Sequence, residues 1–121
     1  MSITGVNNVD QMNQYNWTQI PEEQIGPLWT RQMIHTPQLS ILKLRFSKGA
    51  VLANHHHMHE QVTMVMAGTL RIEVNGEPFI LHAGDVLRIP PDAPHMLEAL
   101  EDSTAIDVFA PARDDLKPLN D

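Results

Sequence analysis

Cysteine is absent from this chain of 121 residues, so neither disulfides nor thiolate chemistry can operate in it. Zinc-finger and iron–sulfur sites built on thiolates go with it. Basic clusters are absent as well: no Lys or Arg follows another, and the formal net charge is −7. That balance disfavours nucleic acid and anionic membrane surfaces as partners. No segment nears the ~20 apolar residues that span a bilayer. The opening stretch Met1 to Asp10 lacks the basic flank and apolar region of a secretory signal, so a soluble cytoplasmic protein is the expectation. Helical periodicity is missing over any ten residues, and no repeat recurs at the 20–50-residue scale.

What remains is enough for one packed domain. At 42% hydrophobic residues the chain is not disordered, and folding at this length buries roughly two-thirds of the unfolded surface. Residues 1–16, Asn- and Gln-rich from residue 5, predict a flexible arm. Trp17 to Pro21 and Leu28 to His35 predict short strands laid on a neighbouring subunit. From Ser40 the two-residue period of a half-wet strand sets in, with Leu42, Leu44 and Phe46 against Lys43 and Arg45. Further apolar runs follow at 62–66, 69–74, 79–81, 86–89, 95–97 and 104–109. Asn75-Gly76 marks a two-residue hairpin turn, because a type I′ turn needs positive φ at both central positions. Many short strands at intervals of about ten residues predict an all-β fold, a single antiparallel sandwich or barrel. That domain is expected to span residues 17–113, with 114–121 as a C-terminal tail.

Three histidines fall where a metal needs them. Gly49 opens a stretch that carries His55, His57 and Gln61 before Gly68, and Gly84 opens another that carries Pro90 and His95. Neutral imidazole is the commonest metal ligand in proteins. Histidine runs also arise as purification tags, surface loops and hydrogen-bonded core residues, but this one sits mid-chain before a strand.

The first stretch resembles the first cupin motif, Gly-x5-His-x-His-x3-Glu-x6-Gly, with Gly49, His55, His57, position 61 and Gly68 in register. The second is similar to the second cupin motif, Gly-x5-Pro-x-Gly-x2-His-x3-Asn, through Gly84, Pro90 and His95. The resemblance implies a double-stranded β-helix, a jelly-roll barrel, with one divalent transition metal (nickel, zinc, iron, manganese or copper) held by His55, His57, Gln61 and His95. Three positions depart from the pattern: Gln61 replaces Glu, Asp92 replaces Gly and Ala99 replaces Asn. Glutamine ligates through its carbonyl oxygen and brings no charge, so the ion keeps its full +2 toward an anionic substrate. His59 is expected at the pocket or its rim and His56 in a structural role. His35 and His82 are expected on the solvated surface, and Glu60 has the wrong strand parity to replace the missing carboxylate.

The last strand ends in Asp107-Val-Phe109-Ala-Pro111-Ala-Arg113-Asp-Asp115. This is similar to the Asp-x-Phe-x-Pro-x-Arg-x-Asp ending of KdgF-type cupins, which linearise 4,5-unsaturated monouronates from pectin and alginate to open-chain keto sugar acids. The resemblance implies that Asp107, Phe109 and Arg113 act beside the metal: Asp107 shuttles a proton, Arg113 grips the substrate carboxylate with two hydrogen bonds, and Phe109 packs on the sugar ring. Arg113, with Arg88, is expected to make the pocket locally positive. Three rival readings stay open on the same scaffold: a three-histidine Fe(II) dioxygenase, a non-catalytic ligand-binding module, and a structural storage-type cupin. Strand edges at 17–35 predict a homodimer.

Overall fold

The computed structural model describes residues 12–119. Ten strands follow one short 3-10 turn: β1 (Glu23–Gly26), β2 (Trp29–His35), β3 (Ser40–Phe46), β4 (Val51–His55), β5 (Glu60–Ala67), β6 (Thr69–Val74), β7 (Glu77–His82), β8 (Val86–Ile89), β9 (His95–Ala99) and β10 (Ser103–Ala110). They form two antiparallel sheets, six strands in the order β1-β2-β3-β10-β5-β8 and four in the order β4-β9-β6-β7. The crossovers β3-β10-β5 and β4-β9-β6 are those of the expected jelly roll.

Alternation decides which side chains go inside. Leu42, Leu44 and Phe46 are buried on β3, and Leu70, Ile72 and Val74 on β6. The Asn75-Gly76 turn has φ of 52° and 81°, as a type I′ hairpin requires, and joins Val74 to its partner Glu77. The interior is graded along the barrel. At one end Val65, Leu70, Ala99 and Ala105 are at most 1% exposed and make a hydrocarbon plug. Toward the other end, inward positions turn polar through Thr63, Asp107, Gln61 and His95.

Two expectations for the N-terminal region are corrected. Trp17–Gln19 is a 3-10 turn and not a strand. Asn16 caps it by accepting from the Thr18 amide at 2.9 Å, and Gln32 takes up the carbonyls of Trp17 and Ile20 at 2.7 and 2.9 Å. The 28–35 strand starts at Trp29 and pairs along its length with β3 of the same chain, not with a neighbour. The Trp29–Arg31 part of its other edge is covered by β1, which has no alternating pattern to announce it. Part of the expected 1–16 arm, residues 1–11, lies outside the described residues. After Arg113 the chain folds back: Leu116 packs on the core, the Lys117 carbonyl accepts from Arg31, and the Leu119 amide binds Glu23.

Candidate metal and substrate site

Strand pairing brings the histidines together. His55 closes β4 directly opposite His95, the first residue of β9, and their ring centroids are 4.3 Å apart. His57 stands in the connection to β5, 5.0 Å from His95 and 5.8 Å from His55. Each ring offers a nitrogen within 4.8 Å of the others.

The tautomers point one way. Nδ1 of His55 faces the Ala53 carbonyl at 2.9 Å, Nδ1 of His57 the His59 carbonyl at 3.1 Å, and Nδ1 of His95 the Ala93 carbonyl at 2.8 Å. A carbonyl only accepts, so each Nδ1 carries the proton and each Nε2 keeps its lone pair. Nε2 of His95 is buried without a partner. Nε2 of His57 lies 3.0 Å from Oε1 of Gln61, so two lone pairs meet there with no proton between them. A convergent acceptor cluster of this kind, exposed at His55 and buried at His95, is satisfied by a cation, and the residues fit a divalent metal. Burial pushes His57 down and His95 down to about 4, so both imidazoles are neutral and ready to ligate at physiological pH.

Beside this cluster opens a cavity of about 130 Å³. His55, Gln61, His95, Asp107, Arg113 and Arg31 supply its polar wall; Leu42, Leu52, Ile72, Ile89 and Leu97 are among its apolar residues. Asp107 is buried and paired across the sheet with Thr63, whose hydroxyl donates to its Oδ1 at 2.7 Å. Burial raises the Asp107 carboxyl to about 6, against the lowering pull of Thr63, Gln61 and Arg113.

Within this geometry the chain also matches known proteins. Residues 42–109 match the cupin domain family. The chain belongs to the cupin family. The pectin degradation protein KdgF of Dickeya dadantii is 34% identical over 98 residues, which are 78% of this chain and 89% of that protein. The solved structure of KdgF from a Halomonas species superposes with a TM-score of 0.82 at 33% identity, over 87% of this chain and 98% of that one. An RmlC-like cupin from Shewanella frigidimarina superposes at 0.81 with 34% identity, over 87% and 96%.

The remaining site residues of this cupin sit differently from expectation in several places. Arg113 reaches the cavity, but its two-pronged edge is taken: Nε and Nη2 bind Asp115 at 3.0 and 2.9 Å. That pairing holds the Asp115 carboxyl down at about 2. Phe109 is 3% exposed and is not among the cavity's walls. The Arg113 guanidinium covers its face at 4.7 Å and the His57 ring packs against it in a T-shaped pair with centroids 5.5 Å apart, so it supports those two residues where sugar packing was expected. Arg88 is exposed on the outer face, bound to Glu60, and adds nothing to the pocket, since alternation turns Leu87 and Ile89 inward. Glu60 points outward with it, as its parity requires.

His59 is buried, with Nε2 3.9 Å from Asp115 and Nδ1 without a partner. His56 is exposed, so a structural role gives way to solvent. His35 and His82 are exposed as expected. Two residues went unnoticed in the sequence. Arg31 is buried on the cavity wall, tied to Glu23 at 3.1 Å and to the Lys117 carbonyl at 3.0 Å, and it shares strand parity with Trp29 and Met33. Thr63 shares the parity of Gln61.

Proposed function

We propose that this cupin is a metal-dependent enzyme that linearises 4,5-unsaturated monouronates to open-chain keto-deoxyuronates. The observation that carries the reading is a single cavity whose wall combines two of the three clustered histidines, His55 and His95, with a buried carboxyl and two guanidinium groups. The identity with KdgF proteins, over most of both chains, supports the choice of pectin-derived substrate. His55, His57, His95 and Gln61 would hold the ion, and nickel, zinc, iron, manganese and copper all suit that donor set. Bound there, a divalent ion supplies Lewis acidity for negative charge developing on substrate oxygen.

The chain's own groups account for the proton traffic. Asp107 takes the proton of the C1 hydroxyl as C1=O forms and the bond from C1 to the ring oxygen breaks. The electron pair leaves on the ring oxygen as the C5 enolate. Asp107 then returns the proton to C4, which leaves a ketone at C5 and no net oxidation. A carboxyl near pKa 6 suits both halves of that exchange at neutral pH. Arg31 and Arg113 attract the substrate carboxylate into a protein of net charge −7. With its Nε–Nη2 edge on Asp115, Arg113 offers the substrate its Nη1 side, and Phe109 keeps the guanidinium in place.

Elemental analysis followed by an anaerobic assay on 4,5-unsaturated galacturonate and on the alginate-derived monouronate tests the reading. Loss of the double-bond ultraviolet absorbance without oxygen is expected. Turnover that requires oxygen would point to a dioxygenase, and binding without change to a ligand module.

The cytoplasm is the proposed location, checked by cell fractionation; no helix among the described residues is long and apolar enough to cross a membrane. A homodimer is proposed on new grounds, because the six-stranded sheet turns Ile41, Met64, Ile106 and Val108 outward. Sedimentation at twice the 13.6 kDa chain mass is the expected result.

A further inference from the structure

Gln61 has two unlike ends, and its place in the cluster depends on which one faces the histidines. Oxygen offers lone pairs to a cation, whereas NH2 offers two protons and repels it. In the structure Oε1 faces Nε2 of His57 at 3.0 Å and Nε2 of Gln61 donates to Oγ1 of Thr63 at 2.9 Å. A chain of donors makes this order the consistent one. As a carboxylate Asp107 only accepts, so Thr63 commits its single hydroxyl proton to Oδ1 of Asp107 at 2.7 Å. The Thr63 oxygen then has only lone pairs for Gln61, and the amide must answer with its NH2 end. The reversed amide would set two acceptors 2.9 Å apart in a buried place.

Among the described residues the Thr63 hydroxyl is bonded to Gln61 and Asp107 alone, and the Asp107 carboxylate, which also draws on Gln61, asks for the same NH2 end of the amide. Across the sheet the row runs Leu42, Asp107, Thr63, Leu87, so the polar pair is flanked by two leucines. Thr63 is 1% exposed and one pleat beyond Gln61 on the same face.

We propose that Thr63 is a positioning residue of the metal centre: anchored on Asp107, its hydroxyl turns the carboxamide of Gln61 so that oxygen, not nitrogen, faces the histidine cluster. The inference rests on the reading of Gln61 as a metal ligand, and it explains how this cupin uses an amide where the family motif has glutamate. Glutamate carries oxygen at both ends and needs no such orientation.

The test uses the full chain, stripped with a chelator and titrated with Co²⁺ alone, with affinity read by chelator competition and coordination by the visible spectrum. Thr63→Val is expected to weaken Co²⁺ binding by about 10- to 100-fold, the usual scale for an outer-shell partner, while Thr63→Ser stays close to wild type. In a Gln61→Glu background Thr63→Val should cost nothing, since either carboxylate oxygen serves. If Thr63→Val does not fold, Thr63→Ala replaces it in both backgrounds. Wild-type affinity in the hydroxyl-less variant, or an equal loss in both backgrounds, overturns the proposal. Gln61→Ala separates the failures: if it binds Co²⁺ like wild type, Gln61 is no ligand and the parent reading of the donor set falls as well.

Discussion

Asp107 is held in a charge state that its surroundings oppose, and that conflict is measurable. Its carboxyl is raised from 3.8 to about 6 by burial, so between those values the folded protein binds more protons than the unfolded one. Stability from this residue therefore falls as pH rises from about 4 to about 6, and the whole loss of about 3 kcal/mol persists above that. In metal-free protein Asp107→Asn should match wild type near pH 4 and exceed it at pH 8, by up to that amount. Urea melts at the two pH values check this, and the difference between variant and wild type cancels the opposite contribution of His95. Turnover should respond the other way. Asp107→Ala is expected to keep its metal, by elemental analysis, and to lose about 10²- to 10⁴-fold in rate. A variant that still opened the sugar at near-normal rate would remove Asp107 from the mechanism. At this scale sequence reading had uneven reach. His55, His57 and His95 were legible because motif spacing fixes them, and parity exposes both Thr63 and Arg31 to a reader who follows it. The closed fork of Arg113 was not, because Asp115 meets it in irregular chain beyond β10, where no period operates.

Strands and turns were the most legible level, and the reason is physical. A strand with one face in the core has to alternate, so β3, β6 and β10 show themselves as Leu42-Leu44-Phe46, Leu70-Ile72-Val74 and Ala105-Asp107-Phe109. β1 is short, peripheral and mostly half-buried, so it carries no such pattern, and the 3-10 turn at Trp17 is held by side-chain bonds from Asn16 and from distant Gln32. Turn glycines divide into two kinds that the motif alone does not separate. Gly68, between β5 and β6, has φ of 84°, and a Cβ there would lie 2.3 Å from the Asp102 carbonyl oxygen and from Oγ of Ser103. Gly84 has φ of 93° and open space around it. Gly84→Ala should cost only the strain of a left-handed alanine, about 1–2 kcal/mol. Gly68→Ala adds a backbone collision in a tight corner and should lose clearly more, enough to shift the denaturation midpoint well beyond that of Gly84→Ala. Equal midpoints would mean that the corner yields freely.

Across the whole molecule, the proposed ion ties together parts that strand pairing leaves separate. Its histidines come from the four-stranded sheet and the connection leaving it, whereas Gln61 lies on the six-stranded sheet. Removing the ion thus loosens one end of the barrel, where polar side chains replace hydrocarbon, but leaves the apolar plug of Val65, Leu70, Ala99 and Ala105 intact. The metal-free protein should therefore stay folded, unlike domains whose core is the metal itself. Its stability should still drop by mass action, about 2.7 kcal/mol for free metal at 100 times Kd, or about 10 °C in Tm for a domain of this size. Calorimetry with and without chelator should show a lower Tm, unchanged strand content by circular dichroism, and full recovery when metal is returned. His95→Ala should melt near the stripped protein and ignore the chelator, because its cluster has lost the one imidazole that sits directly opposite His55. If stripped and loaded protein melt together, the two sheets share no ion and the site is not the bridge that this geometry implies.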